Sequence, residues 1–202
     1  MAKICTDAGH GGYDTGAVWQ DALEKDLNLL YTLKLNEELK KRGHILYTTP
    51  TSDVRVPPLG TRCRLINEHH RQQAPQFDLI VSLHCNAAAI NENGVYKAVS
   101  SRRGLYVIYS HESEASRKAA MAVSEQCAAA NIHLNHHGML STVQLGRTLA
   151  WIHKTIPHAV LIELGFMTNP EELALLKSKE YQDKMIKTLA DGIENYLSVS
   201  SD

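Results

Sequence analysis

Short apolar runs alternate with longer amphipathic segments along the whole chain, and this alternation most limits the fold. Lys3–Asp7, Phe77–Leu83 and His158–Glu163 are predicted strands. The last two are nearly continuous apolar runs, which are typical of strands buried on both faces of a sheet. Because predicted helices separate these strands, we expect an α/β fold. The pattern predicts a single-domain three-layer sandwich, in which helices flank a largely parallel or mixed twisted sheet.

The other elements follow from helical spacing and from helix start and stop signals. Asn169 is a predicted N-cap, with Pro170 at the first helical position and acidic residues in the first turn. Apolar residues at helical spacing and turn residues place the remaining boundaries. Further strands are predicted at His44–Thr48 and Gly104–Tyr109, and helices at Asp21–Arg42, Thr61–Gln73, Ser113–Ala130 and Glu180–Leu197.

Length and charge exclude several classes of protein. The chain has 202 residues, of which 44% are hydrophobic, and this suits one folded domain over residues 1–202. Lys and Arg number 21 against 22 Asp and Glu, so we expect no nucleic-acid partner. No apolar stretch approaches about 18 residues, so we expect no membrane insertion. The first residues lead directly into a predicted strand, so we expect no signal peptide.

The four cysteines are predicted to be free thiols, mostly buried. They form no CxxC pair, which argues against a cysteine zinc site or a thioredoxin-type site. Cys85 follows His84, but consecutive side chains on a strand point to opposite faces, so only one of the two can face a site. Free thiols fit folding in a reducing compartment.

Two histidines and a glutamate stand in positions that suit metal binding. His10 lies in the glycine-rich stretch DAGHGGYDTGA, Glu24 in LEKDLNL, and His84 at the end of the apolar run DLIVSLH. Two imidazoles and one carboxylate form a typical catalytic zinc site, which leaves one coordination position open. Each residue also has an ordinary interpretation. His10 could be a turn residue, Glu24 could close an Asp21-x-x-Glu24 capping box, and His84 could be a hydrogen-bonded strand histidine.

Glu163 is the candidate acid/base residue. It follows the run Ala-Val-Leu-Ile, so it is expected near the interior of the sheet. An unpaired buried carboxylate is costly or becomes protonated, and a neighbouring metal site would remove this cost. The alternative is a structural salt bridge to an arginine such as Arg147. The four residues together indicate a metal-dependent hydrolase.

The other histidines are weaker candidates. His69 and His70 are adjacent on a predicted helix, where their side chains diverge by roughly 100°, so a solvated helix face is expected. His136 and His137 are placed in a polar loop after His133. His136 and His137 could bind a metal or line a substrate groove. The roles of His133, His136 and His137 stay open.

In this order and spacing, the motifs DAGHGGYDTGA, LEKDLNL, LGTRCRLIN, DLIVSLHCNA and PHAVLIELGFMTNPEE resemble the catalytic domain of zinc-dependent N-acetylmuramoyl-L-alanine amidases of type 3. The resemblance extends from Lys3 to Leu197. It implies one zinc ion per chain, held by His10, Glu24 and His84, with Glu163 as catalytic acid/base. It also implies peptidoglycan as the substrate. Asn86, Gly11 and Gly12 would help to position that substrate.

The chain departs from the resemblance at a few points. The family usually has an arginine after the second strand, where this chain has Thr48-Thr49-Pro50, so a local salt bridge is expected to be missing. The stretch Ser110–Met139 is expected to be too short for the inhibitory helix of regulated relatives, and no wall-anchoring module is expected after Leu197. These features favour a monomeric lysin-like enzyme, made in the cytoplasm and acting on the cell wall. The alternatives are a zinc exopeptidase and a non-catalytic wall-binding module.

Overall fold

A six-stranded sheet runs through the centre of residues 1–199, which are the residues that this computed structural model describes. The last three residues of the expected domain 1–202 lie outside them. In chain order the strands are β1 (Lys3–Ala8), β2 (Val18–Trp19), β3 (Ala22–Leu23), β4 (Ile45–Thr49), β5 (Leu79–Asn86), β6 (Ala89–Glu92), β7 (Val95–Ala98), β8 (Leu105–Tyr109), β9 (Leu134–Ser141) and β10 (Ala159–Phe166).

The sheet is mixed but mostly parallel, as the alternation of elements predicts. Its strand order is β4-β1-β5-β10-β8-β9. The first four strands are parallel, β8 is antiparallel to β10, and β9 is parallel to β8. The helices are α1 (Glu24–Lys41), α2 (Leu59–Gln72), α3 (Glu114–Ala129), α4 (Thr142–Leu145), α5 (Ala150–His153), α6 (Pro170–Lys177) and α7 (Lys179–Val199).

Helices cover both faces of the sheet, and strand residues alternate between the two hydrophobic clusters. On β5, Leu79, Val81 and Leu83 belong to the larger cluster, against which α1, α3 and α7 pack. Ile80 faces the smaller cluster, together with Leu161 of β10. Side chains that alternate between the two faces with a period of two are expected for a pleated β-strand. Because both faces of the sheet are buried, these strands are continuous apolar runs in the sequence. The three-layer α/β sandwich is confirmed.

The predicted helices differ from the observed ones mainly at their ends. Asn169 caps α6, because its Oδ1 accepts a hydrogen bond from the backbone N–H of Glu172, and Pro170 is the first helical residue. Ser113 caps α3 in the same way. The prediction was wrong at Asp21, because residues 18–23 form the small β2–β3 hairpin and α1 begins only at Glu24.

Two predictions about histidine pairs were wrong. His136 and His137 lie inside β9, which bulges away from β8 between two paired segments, so this stretch is a strand with an irregularity and not a simple loop. His69 and His70 are half-buried, and both contact Phe77 instead of facing only solvent. The His69 ring stacks on Phe77 with 5.0 Å between centroids, and the Nδ1 atom of His70 accepts a hydrogen bond from the Phe77 backbone N–H.

All four cysteines are free and buried, as the sequence predicts. Cys85 lies in the larger hydrophobic cluster, on the opposite face of β5 from His84. Because side chains alternate along a strand, the Cys85 thiol lies on the opposite side of the sheet from the His84 ring.

A buried ion pair lies under the carboxyl end of β1. The Asp7 carboxylate accepts hydrogen bonds from Arg62 Nη1 at 2.7 Å, Thr49 Oγ1 at 2.9 Å and Ser82 Oγ at 2.8 Å. Arg62 also donates to the backbone carbonyl of Ala8. Thr49 is the last residue of β4, and the guanidinium that pairs with this buried carboxylate comes from Arg62 of α2.

We predict that Arg62→Gln destabilises the fold by about 3 kcal/mol, because it leaves the Asp7 carboxylate buried without its cation. Urea unfolding followed by circular dichroism measures the change. Arg64→Gln is the matched control, since Arg64 lies on the same helix in an exposed i,i+4 pair with Glu68. Such surface pairs contribute little, so equal losses in both variants would contradict the prediction.

Candidate metal centre

The loop after β1 presents His10 at the carboxyl edge of the sheet. His10 has a φ of 66°, in the left-handed region that few residues other than glycine adopt. Gly9 precedes it, and a Cβ atom there would lie 2.2 Å from Cε1 of His84. The absence of a side chain at residue 9 therefore lets the His84 ring lie against the β1 loop.

Glu24 is the first residue of α1, and its carboxylate turns towards the same edge. The residue before it, Leu23, makes no side-chain capping bond, so the capping-box interpretation of Asp21 and Glu24 was wrong. The Asp21 carboxylate instead pairs with Lys177. Glu24 Oε2 accepts a hydrogen bond from the backbone N–H of Ala17, and the residue is only 6% exposed.

His84 lies near the end of β5, beside Glu163 of β10. The two residues are direct partners in the parallel register, so their side chains leave the same face of the sheet. Parallel strands bring their carboxyl ends to one edge, which places both residues at the edge that the His10 loop and the start of α1 also reach.

Three side chains from distant parts of the chain converge there. Glu24 Oε1 lies 3.3 Å from His10 Nε2 and 3.0 Å from His84 Nδ1. The two imidazole rings are 5.1 Å apart between centroids. One donor atom from each residue can be chosen so that all three lie within 4.8 Å of one another. Two neutral imidazoles and a carboxylate at this spacing match the donor set that zinc prefers, with room for a further ligand.

Neighbouring side chains hold these groups in place. His10 Nδ1 is 2.9 Å from Asp14 Oδ2, so the second ring nitrogen is directed towards a carboxylate. Asn28 Nδ2 donates to Glu24 Oε1 and to the backbone carbonyl of Gly9, which ties α1 to the β1 loop. Gly16 completes the cradle, because a Cβ atom there would lie 2.6 Å from Glu24 Oε2. Partners of this kind fix the orientation and tautomer of ligand histidines.

The electrostatics follow from this arrangement. The hydrogen bond with Glu24 outweighs burial and raises the pKa of His10 to about 9. Burial alone would raise the pKa of Glu24, but hydrogen bonds from both histidines lower it well below its usual range. The carboxylate is therefore charged at neutral pH. A divalent cation would compete with the proton on His10, since metals bind the neutral imidazole.

Glu163 is the unusual carboxylate of the site. Its Oε2 atom is buried and has no hydrogen-bond partner among residues 1–199. Burial raises the pKa of Glu163 to about 7, although the positive field of His84 opposes the rise. The alternative interpretation was a salt bridge between Glu163 and Arg147. Among the described residues, Glu163 and Arg147 form no such bridge. Arg147 instead lines the same cavity, of about 300 Å³, together with His10, Glu24, His84, Asn86 and Glu163.

The sequence analysis missed the place of two residues, Tyr106 and Arg147, in this site. Tyr106 of β8 pairs with Glu163 in the antiparallel register, and its hydroxyl accepts a hydrogen bond from Asn86 Nδ2. Arg147, which the sequence suggested only as a salt-bridge partner, is the arginine of the cavity wall. Neither residue stands in a motif, so only its position in the fold reveals it.

The glycines and the remaining histidines lie further out. Gly11 N donates to the Asp14 carbonyl, and Gly12 N donates to Asp53, so both amides already have partners. His133, His136 and His137 line a separate groove next to Arg102 and Arg103.

Comparison with known proteins identifies the family of the chain. The family model described as N-acetylmuramoyl-L-alanine amidase, of the type 3 group, matches residues 4–195. The germination-specific N-acetylmuramoyl-L-alanine amidase of Bacillus subtilis strain 168 is 28% identical over an alignment of 212 residues, gaps included. The alignment covers 98% of this chain and 81% of that protein.

Solved structures extend the likeness to three dimensions. The catalytic domain of the amidase CwlV from Bacillus (Paenibacillus) polymyxa var. colistinus is 27% identical, with a TM-score of 0.80 over 98% of this chain and 99% of that one. The CwlD amidase from Clostridioides difficile, solved in complex with the GerS lipoprotein, is 26% identical. Its TM-score is 0.82 over 98% of this chain and all of that one.

We predict that His10 titrates with a pKa of about 9 in chelator-treated protein, as measured by NMR of its imidazole protons. The stabilisation from protonated His10 beside Glu24 is complete below the ordinary histidine pKa of ~6.5 and is lost as the pH rises through about 9. Glu24→Gln should lower the pKa of His10 towards ~6.5, whereas Glu37→Gln, on the exposed side of α1, should not. An unchanged pKa in Glu24→Gln would refute the pairing.

Proposed function

The chain belongs to the N-acetylmuramoyl-L-alanine amidase family of type 3 and hydrolyses peptidoglycan, and from this premise we propose how its own residues do so. His10, Glu24 and His84 hold one zinc ion, and Glu163 is the catalytic acid/base. The bond cleaved joins the lactyl group of N-acetylmuramic acid to the L-alanine of the stem peptide. Residues 1–202 form one catalytic domain, which acts as a monomer on the cell wall.

The observation that carries this proposal is the convergence of three donor groups beside a carboxylate without a hydrogen-bond partner. Donor atoms of His10, Glu24 and His84 lie within 4.8 Å of one another, and Glu163 borders the same cavity. A purely structural site would satisfy its buried carboxylate with hydrogen bonds. Glu163 Oε2 lacks such a bond among the described residues, which suits an oxygen that exchanges protons with a substrate or a water molecule.

When bound by His10, Glu24 and His84, a zinc ion would supply Lewis-acid chemistry: it would polarise a carbonyl oxygen and lower the pKa of water from ~15.7 towards ~7. Glu163 removes the proton from the attacking water and then delivers it to the departing amine of L-alanine. A pKa of about 7 suits both steps, because the carboxyl group can accept and release a proton near neutral pH. The bound cation would add a positive field that lowers this pKa.

The other polar groups of the cavity have positioning roles. Asn86 donates to the Tyr106 hydroxyl and lines the cavity, so its side chain is fixed next to the acid/base. Arg147 gives the wall a positive charge that can attract the polar substrate. Gly11 and Gly12 would help to position the substrate at the β1 loop. A Cβ atom at Gly11 would lie 2.8 Å from Cγ2 of Val56, so this glycine lets the loop pack against that side chain.

We predict that Glu163→Gln retains zinc but loses turnover by roughly 10²- to 10⁴-fold, which is typical for removal of a general acid/base. Glu24→Ala should lose zinc as well as activity, because one of three ligands is missing. Elemental analysis of purified proteins, together with release of the alanyl amine, separates the two effects. Glu180→Gln, at an exposed glutamate in the first turn of α7, is the control. An active Glu163→Gln enzyme would remove this residue from the mechanism.

We predict that digestion of purified peptidoglycan yields new alanyl amino termini and no new reducing sugars. Treatment with a chelator should stop the release, and added zinc should restore it. New reducing ends would indicate a glycosidase. Cleavage of unrelated peptides at similar rates in a peptide panel would favour the zinc exopeptidase alternative.

A further inference from the structure

A second groove lies at the same carboxyl edge, next to the metal centre. We call it the Arg–His groove, and it is defined by Arg102, Arg103, His133, Asn135, His136 and His137. Its volume is about 660 Å³, about twice that of the metal cavity. Nothing in the proposed mechanism uses these residues.

The lining of the Arg–His groove is cationic. Two guanidinium groups and three imidazoles border it, and none of the described residues that line it is acidic. Arg102 is exposed and makes no ion pair or hydrogen bond with any residue among 1–199. Arg103 is partly neutralised, because its Nη1 atom lies 3.3 Å from the exposed Glu171 carboxylate. A groove with this charge selects a ligand that carries carboxylates or other anionic groups.

The walls of the groove are held at a fixed separation. Asn135 Nδ2 donates to the Arg103 backbone carbonyl at 2.6 Å, which joins the segment before β8 to the bulge of β9. His136, His137 and Gly138 are three consecutive residues with positive φ. Their left-handed backbone turns the bulge outward, a conformation that is unfavourable for residues other than glycine. The Ser124 hydroxyl donates to the His137 carbonyl and supports the bulge from α3.

The Arg–His groove is separate from the metal cavity, but a row of side chains on neighbouring strands leads from one to the other. His84, Glu163 and Tyr106 are partners on neighbouring strands, and the His136 ring packs edge-on against Tyr106 with 5.1 Å between centroids. Three strand spacings of ~4.8 Å separate β5 from β9, so the groove begins ~14 Å from His84. An extended peptide covers that distance in about four residues at ~3.3 Å each.

We propose that the Arg–His groove binds carboxylates of the stem peptide, three or four residues beyond the scissile bond. This inference rests on the proposed amidase function. The glycan strand is built from uncharged N-acetyl sugars, whereas the stem peptide carries the acidic groups. The peptide therefore extends across Glu163 and Tyr106 towards β9, and the glycan lies on the side of the β1 loop.

The test uses two synthetic muramoyl tetrapeptides that differ only in the third and fourth residues. One carries free carboxylates there, and the other carries carboxamides. The expected result is a preference of about tenfold in kcat/KM for the acidic substrate, mainly through KM, because charge-assisted hydrogen bonds are lost with the amide. Arg102→Gln should reduce this preference several-fold, and the double variant Arg102→Gln/Arg103→Gln should abolish it.

Arg71→Gln is the matched control, since Arg71 is an exposed arginine at the end of α2 and should leave the preference unchanged. A separate measurement needs no catalysis. Titration of the free acidic tetrapeptide into the Glu163→Gln protein should shift the NMR signals of His133, His136 and His137, and the amide peptide should shift them much less.

The outcomes separate the two proposals. If the wild-type enzyme cleaves both substrates equally and Arg102→Gln changes nothing, the groove proposal is overturned and the amidase function stands. If the acidic peptide shifts the groove histidines but neither substrate is cleaved, peptide binding is supported and the amidase function fails. If neither substrate is cleaved and the acidic peptide shifts none of the histidine signals, both proposals are overturned.

Discussion

The Glu24 carboxylate between two imidazoles is the interaction on which the site depends. Its Oε1 atom lies within 3.3 Å of His10 Nε2 and His84 Nδ1, and thereby joins the β1 loop, the start of α1 and the end of β5. These three elements are far apart in the chain. Only parallel strands, with α1 beginning at the same edge, bring them together. The surrounding glycines and Asn28 serve this contact, because they allow or fix the close approach of the three groups.

Two carboxylates at this edge have opposite environments, and this difference divides the chemistry. Hydrogen bonds from two histidines outweigh burial and lower the pKa of Glu24, which keeps it charged and suited to bind a cation. Burial dominates at Glu163 and raises its pKa to about 7, which suits proton transfer. Groups whose environments move their pKa values apart are typical of acid/base sites. A third carboxylate, Asp7, lies beneath them in a buried ion pair with Arg62 and has a structural role.

The sequence predicted the main strands and helices well, because double burial and helical spacing leave strong local patterns. It failed where tertiary contacts override local signals. Asp21 and Glu24 have the spacing of a capping box, yet Asp21 pairs with Lys177 and Glu24 turns towards the histidines. His136 and His137 read as a polar loop, but pairing with β8 on both sides of the bulge makes the segment a strand. His69 reads as solvated, but Phe77 and Tyr47 cover its ring.

The sequence alone determined the α/β class and the identity of the four candidate residues, since strand periodicity and motif order are local properties of the chain. It also separated Cys85 from His84, because neighbouring residues on a strand face opposite ways. The tertiary structure alone decided that Arg147 faces the cavity without an ion pair to Glu163, that Tyr106 lies beside the acid/base, and that two arginines meet three histidines in one groove. The reason is physical: these relations arise between strands and loops whose register and bulges depend on long-range pairing, which no local pattern encodes.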